Sequence, residues 1–345
     1  MKFLLSENDF LMIEKVSLEG KFNKSNRSDS SAILIIAFNR PSKLKSLLSV
    51  VPSDRRIYVH VDGQRNEHDH GPSECRRVVK EFIESSPQTK VQILAQQRNL
   101  GCKHSCTQAI TWAFKNEEKL IILEDDIVLN PCALQYFDWA LERFNSSREI
   151  FQINGFSPLN TFFNWKKLRV YKSLFSQGWG WATWRNRWDT FDVNLPNLAK
   201  TREIPAEFHS QFKFPRPFLE LWNERLRRVL GGFDTWDFQW QLHIWQEGGF
   251  VIAPNRSLTE NIGFDEVATH TRRPPNFISK RRIERSPRNR QLLPVDVEIN
   301  FSKTEKLLFP TYHEVKIVIK LLRSKSLPFI FELAKKQIVN IACSS

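Results

Sequence analysis

The chain of 345 residues contains no apolar run near the 18 or so residues that a membrane span requires. Its start, Met1 to Phe10, carries one basic residue and then acids, without the apolar centre of a signal peptide. The cysteines, Cys75, Cys102, Cys106, Cys132 and Cys343, are odd in number and form no CxxC pair. They read as free thiols in a reducing cytosol, with Cys102 and Cys106 spaced to share a helix face. No internal repeat is present. Neither GxGxxG nor GxxxxGK[ST] occurs, which argues against a dehydrogenase and a P-loop NTPase. Tyrosine is scarce, at 4 against 11 Trp and 27 Phe, yet 41% hydrophobic residues suffice for a sizeable core.

The net charge of +13 is unevenly placed. From His270 to the end there are 16 basic residues against 6 acidic ones, so the preceding body is nearly neutral. A basic pI near 9.6 fits a nucleic-acid binder, but no RNP-like or helix-turn-helix pattern accompanies it. The cluster Arg272–Arg290 reads either as a contact for an anionic surface or as a solvated tail. Segments 315–322 and 327–334 are too short and charged to span a bilayer; they either lie on its surface or pack onto the body.

Residues 1–30 read as a loose leader, 31–271 as a catalytic domain and 272–345 as a basic tail with helices. Within the domain, 31–130 form a nucleotide-binding half and 131–271 an acceptor half. Apolar runs at 31–38, 56–61, 91–95 and 119–123 predict strands. Helical spacing is found at 42–51, 74–85, 103–116 and 236–247. This alternation predicts an α/β fold with a mainly parallel sheet, whose ligands bind beyond the carboxyl ends of the strands. Asn39, Asp62, Asn99 and an acidic triplet all fall there.

That triplet, Glu124-Asp125-Asp126, follows the strand 119–123 directly. Clustered buried carboxylates are costly unless a cation offsets them, and carboxylate oxygens suit Mg²⁺ and Mn²⁺. A metal–diphosphate site and a solvated acidic turn are the two readings. Gln177 to Trp184 alternates Gly178 and Gly180 with indoles, which reads as a sugar-stacking loop or as a crowded core corner. Asp234 and Asp237 sit among aromatic residues. Asp234 reads as the N-cap of helix 236–247; Asp237 reads as a general base whose apolar surround raises its pKa. The polar stretch Pro254–Thr271 closes on His270, a residue that on its own is structural or exposed.

In this order the landmarks resemble the GT-A fold, nucleotide-sugar-dependent glycosyltransferases, with similarity to glycosyltransferase family 2 and the N-acetylglucosaminyltransferase I group. The resemblance runs through Ile33–Pro41, Asp62-Gly63, Asn99 to Gly101, Glu124-Asp125-Asp126, the Gly/Trp loop and His270, over residues 31–271. The triplet looks like the DXD-type signature in its EDD form. The order Pro254, Ser257, Thr259, Gly263, His270 also looks like that group.

The resemblance implies a Rossmann-like GT-A sheet and a nucleotide-diphosphate sugar donor, UDP-linked. Asn39, Arg40 and Asp62 would contact the nucleobase, and Asn99, Gly101, Glu124 and Asp125 the rest of the donor. Asp126 and His270 would hold Mn²⁺ or Mg²⁺. Gly178, Trp179, Gly180 and Trp181 would line the acceptor side, with indoles up to Trp184. Asp237 matches the acid of the family's catalytic position, but the usual acid before it is absent and Asp234 lies three residues upstream.

The expected activity is inverting transfer of a sugar to an acceptor hydroxyl in glycan or surface-polysaccharide synthesis, on a glycan or a lipid-linked acceptor. Asp237 would take the proton, and Arg272 or Arg273 would help hold the leaving diphosphate. The expected place is the cytoplasm, with peripheral contact at the inner membrane face through the tail. No nucleic acid is expected. The rivals are a nucleotidyltransferase acting on sugar phosphates, a basic nucleic-acid-binding protein and a silent binding module. The first would need a basic or Gly-rich loop after the first strand, which Asn39-Arg40-Pro41 does not provide.

Overall fold

In the computed structural model, β1 (Ala32–Ala37) is buried along its whole length. A strand covered on both faces needs an apolar residue at every position, and Ala-Ile-Leu-Ile-Ile-Ala supplies them. Parallel strands β2 (Arg56–Val61) and β4 (Lys119–Glu124) flank it. β3 (Lys90–Ala95) pairs with β2 and forms the sheet edge, leaving Ile93 exposed. The structure describes residues 30–157, 168–205, 208, 216–264 and 297–298. The leader, His270, the Arg272–Arg290 cluster and the two apolar tail segments lie outside the described residues.

Three helices connect these strands: α1 (Pro41–Leu48), α2 (Gly71–Ser85) and α3 (Gly101–Phe114). Each lies within a few residues of the position its apolar spacing predicts. After a short β5 (Ile127–Leu129) and α4 (Ala133–Arg143), the chain adds β6 (Ile150–Asn154), β7 (Val170–Ser173) and β8 (Trp181–Trp184). Short helices α5 (Arg185–Trp188) and α6 (Pro196–Thr201) follow, then α7 (Arg216–Leu230) and α8 (Asp237–Gln246). β9 (Phe250–Pro254), β10 (Thr259–Asn261) and β11 (Val297–Glu298) complete the order.

The main sheet runs β11-β7-β9-β6-β8-β4-β1-β2-β3. It is mixed and mainly parallel, a Rossmann-like α/β sheet. β8 is antiparallel to both its neighbours, and β7 is antiparallel to β9. β5 and β10 pair separately as a small antiparallel ribbon. Beyond β4, the strands β6, β7 and β8 escape the apolar-run reading because polar side chains interrupt them, whereas β9, Phe-Val-Ile-Ala-Pro, is apolar throughout and is missed. Gln152 and Asn154 in β6, and Thr183 in β8, are buried and satisfied internally. Gln152 Nε2 donates to Asn154 Oδ1 at 2.7 Å, and Thr183 Oγ1 donates to the Phe151 carbonyl at 2.6 Å.

One face of the sheet is covered by α1, α2 and α4 through Leu44, Leu47, Val79, Tyr136 and Phe137. The other is covered by α3, α5 and α8 through Ala109, Ile110, Trp188 and Trp240. A third cluster, including Phe218, Trp222, Leu242 and Trp245, joins α7 to α8. Each large apolar side chain removed from water contributes about 1.5–3 kcal/mol.

The order β3-β2-β1-β4 matters most for function. The chain moves outward from β1 to β2 and β3, then returns to the other side of β1. The strand order therefore reverses between β1 and β4, and ligands of α/β sheets bind beyond the carboxyl ends of strands at such a reversal. Ile36 pairs with Glu124 and Ala37 with Val61, so Phe38, Asp125 and Asp62 are the first residues past three aligned ends.

Candidate functional site

At this switch point Arg40, just before α1, turns its guanidinium to the end of β4. Its Nη1 lies 2.5 Å from Asp126 Oδ2 and 3.5 Å from Asp125 Oδ1. Its Nη2 donates to the Gly263 carbonyl at 3.3 Å. Asp125 Oδ2 accepts the Phe38 N–H at 3.2 Å, tying the two strand ends together. Both aspartates are buried. Burial pushes the Asp125 carboxyl up to about 7; the Asp126 charge adds to the shift and Arg40 opposes it. Glu124 is also raised well above the ordinary carboxylate range, first by burial and then by Asp126.

The small ribbon completes the enclosure. The Ile262 N–H donates to the Asp126 carbonyl at 3.0 Å, and Asn261 Nδ2 donates to Asp126 Oδ1 at 3.4 Å. Gly263 packs so closely that a Cβ there would lie 1.8 Å from Asp126 Oδ2. In the sequence Gly263 is a landmark of the resemblance with no role attached, and Asn261 is not singled out within its polar stretch. The polar stretch was visible, but its pairing with β5 was not.

Asp62, at the end of β2, is buried and holds the turn before α3. Its Oδ1 accepts from Gly63 N at 2.8 Å and Leu100 N at 3.0 Å, and its Oδ2 from Asn99 Nδ2 at 3.0 Å. Burial is the main cause that raises its pKa. Asp62 and Asn99, each expected at the donor, are thus bonded to each other. Asn39 is half-buried, with Gly71 of α2 against it.

Asp234 caps a helix, as its sequence context suggests, but not the helix that follows it. Its Oδ2 accepts from Cys102 N and its Oδ1 from Lys103 N, each at 2.8 Å, at the start of α3. Gly101, with φ of +77°, allows this: a Cβ there would lie 2.7 Å from Asp234 Oδ2. Two unpaired N–H groups of a helix's first turn favour a carboxylate.

Asp237 is the first residue of α8 and is exposed, which corrects the expectation of an apolar surround. The neighbouring rings of Trp236 and Trp240 turn into the core instead, at 4% and 1% exposure. Asp237 Oδ1 accepts from Thr235 Oγ1 and from Phe238 N at 2.9 Å. Among the described residues no donor reaches its Oδ2. The Cys102 hydrogen bond and burial raise Cys106, and burial and Asp126 raise Glu124; the Asp237 charge adds the smallest part to each. On its other side, Arg225 stacks 4.3 Å from the Trp222 ring and 4.9 Å from that of Phe238. Burial lowers the Arg225 guanidinium to about 10, and Asp237 opposes that shift. No sequence signal distinguished Arg225 from the other basic residues of α7.

The Gly/Trp loop divides. Trp179 is half-buried, packed edge to face with Phe156 at 4.7 Å and Phe264 at 5.7 Å. Its carbonyl accepts from Thr259 Oγ1 at 2.6 Å. Gly178 lies 3.9 Å from Trp236 when a Cβ is added, and Gly180 packs on Thr259. Trp181 and Trp184, expected on the acceptor side, are corrected: each is 1% exposed. Both belong to β8, a strand inside the sheet and covered on both faces, whose alternating side chains put Trp181 in one core layer and Trp184 in the other. Trp181 stacks on Trp236 at 5.3 Å, and Trp184 Nε1 donates to the Leu141 carbonyl at 3.1 Å.

A separate groove runs along α3 past Thr107, Thr111, Trp112, Trp188 and Phe191. Its walls are mostly apolar, with Asp192 its one carboxylate, so the switch point remains the candidate site.

No family model matches the chain, and no curated protein matches it. Solved structures do. One is a mannosyltransferase from Pyrobaculum calidifontis in complex with GDP-Man and Mn²⁺, at 13% identity and a TM-score of 0.36, covering 65% of this chain and 71% of that one. Another is a mannose-1-phosphate geranyltransferase from Thermus thermophilus, at 12% identity and a TM-score of 0.32, covering 67% of this chain and 76% of that one. Likenesses this distant assign no activity, so function is argued from the geometry above. Among the described residues, no helix is long and apolar enough to cross a membrane.

Proposed function

We propose that the chain is a metal-dependent glycosyltransferase that moves a sugar from a nucleotide-diphosphate donor to an acceptor hydroxyl. The observation that carries this is the buried Asp125–Asp126 pair facing one guanidinium at the switch point between β1 and β4. Buried like charges are retained against their desolvation cost where a charged ligand or cation uses them.

A divalent cation fits this donor set. Among the described residues no three acid, His or Cys side chains converge as a protein-only cage. Mg²⁺ does not need one: it takes one or two carboxylates and completes its shell with phosphate oxygens and water. Asp126 would be the protein ligand. When bound, the cation would offset the charge of the leaving diphosphate.

The chain's own residues account for the remaining steps. Asp125 and Glu124 would bind hydroxyls of the ribose or sugar, and Asn39 would face the base. Asp237 would take the acceptor's proton at Oδ2, while Thr235 and Phe238 hold its Oδ1. The acceptor oxygen would then attack the anomeric carbon in line, inverting it. Trp179 would line the acceptor side.

Thermal-shift measurements with a panel of nucleoside diphosphates, with and without Mn²⁺, test the reading. Stabilisation by at least one nucleotide that requires Mn²⁺, and that is lost in Asp126→Ala, is expected. A wild-type protein indifferent to every nucleotide in Mn²⁺ would overturn it.

A further inference from the structure

Resting on that metal-dependent reading, we propose that Arg40 is the site's internal counter-cation: its guanidinium and a divalent cation compete for the same oxygen of Asp126, so that one enters as the other leaves.

The argument is steric as well as electrostatic. Asp126 is enclosed on most sides. Gly263 closes on Oδ2, where a Cβ would lie at 1.8 Å, and Asn261 Nδ2 covers Oδ1 at 3.4 Å. Arg40 Nη1 takes a further approach to Oδ2, at 2.5 Å. A ligating cation sits about 2.0–2.1 Å from such an oxygen. It cannot share that approach with a nitrogen already at hydrogen-bonding distance.

The second Arg40 contact, to Asp125 Oδ1 at 3.5 Å, means that one guanidinium serves both acids. A guanidinium carries one positive charge, whereas a divalent cation carries two and so attracts an adjacent carboxylate pair more strongly. The backbone of Arg40 sits at the N-cap of α1, so the swap needs a side-chain rotation and no strand has to move. The displaced guanidinium stays beside the site, where a diphosphate offers it a new partner. Metal and nucleotide would therefore assist each other's entry, and Arg40 would penalise metal binding alone. This role differs from the nucleobase contact expected of Arg40 from the sequence.

The test is Mn²⁺ binding, read by loss of the free-ion electron paramagnetic resonance signal, with no turnover involved. Arg40→Gln should bind Mn²⁺ without nucleotide at least about tenfold more tightly than the wild type. Its gain in Mn²⁺ affinity on adding a nucleoside diphosphate should be smaller than the wild type's. Equal or weaker Mn²⁺ binding by Arg40→Gln, with the wild type binding, overturns the competition and leaves the metal site intact. No Mn²⁺ binding by the wild type, even with nucleoside diphosphates, overturns both.

A second measurement does not depend on the Gln variant folding. The guanidinium resonance of Arg40 in ¹⁵N-arginine-labelled wild type, assigned by its absence from Arg40→Lys, should move on titration with Mg²⁺ and a nucleoside diphosphate. A resonance unmoved at saturation overturns the proposal.

Discussion

Asp234 and Lys103 are 131 residues apart, yet Asp234 Oδ1 accepts the Lys103 backbone N–H at 2.8 Å. The other oxygen accepts from Cys102, so the loop before α8 is fastened to the first turn of α3. That loop ends at Asp237. The positive end of one helix thus holds the segment that carries the proposed base.

This division of labour between two nearby acids is testable. Asp234→Ala should lower stability by about 1 kcal/mol, the usual cost of losing a helix cap, and Asp234→Asn by less. Asp237→Asn should leave the thermal midpoint and donor binding near wild type while turnover falls by about 10²–10⁴-fold. Midpoints and turnover measured on all three variants decide. If Asp234→Asn loses turnover at an unchanged midpoint, Asp234 is the base and the assignment is reversed.

Gly263→Ala should behave as a lesion of Asp126. The added methyl would stand 1.8 Å from Oδ2, so the carboxylate must rotate away. The ribbon and sheet do not depend on that rotamer, so the midpoint without ligand should change little. Mn²⁺-dependent stabilisation by nucleotide should be lost. Wild-type nucleotide shifts in this variant would mean that the rotamer of Asp126 does not matter for binding.

The two indoles of the Gly/Trp loop should separate by phenotype. Trp181→Ala empties a fully buried site against Trp236 and should cost about 3–5 kcal/mol, read by denaturant unfolding. Trp179→Ala should cost less and raise the KM for acceptor more than it lowers kcat. An acceptor KM unchanged in Trp179→Ala would remove Trp179 from the acceptor side.

Two buried histidines predict a pH effect. Burial lowers His60 and His243 from 6.5 to about 4. Between those values the unfolded chain binds protons that the native state does not. Each histidine therefore makes stability rise with pH from about 4 to 6.5 and level off above, at up to about 1.4 kcal/mol per pH unit. Asp125, raised to about 7, acts in the opposite sense across the same window. The informative quantity is consequently the difference between wild type and His60→Gln. That difference should grow in the variant's favour as pH falls from 6.5 to 4. A difference independent of pH would show that His60 titrates normally in the folded protein.

The first half of the fold was legible because β1, β2 and β4 are buried enough to demand apolar runs, and α1 to α3 show their buried faces as spacing. In the second half the helix at 236–247 was legible, as α8 (Asp237–Gln246), but the strands were not. β6 and β8 bury Gln152, Asn154 and Thr183, whose partners are side chains and carbonyls supplied by the fold. A buried polar residue satisfied by a distant partner has the same local pattern as an exposed one. The Gly/Trp loop shows the same limit. Its composition admitted both a stacking surface and a core corner, and β8 pairing assigned Trp181 to the core and left Trp179 half-buried.

By itself, the sequence determined the mainly parallel α/β character and the position of three acids at the carboxyl end of a central strand. Both follow from local constraints: side-chain periodicity and the cost of clustered carboxylates. Only the tertiary structure decided that Arg40 serves those acids, that Asp234 caps α3 and that Gly263 closes on Asp126. Those contacts span 86, 132 and 137 residues of chain, and the strand order brings them together. Sheet topology fixes which strand ends become neighbours, and no local pattern encodes that adjacency.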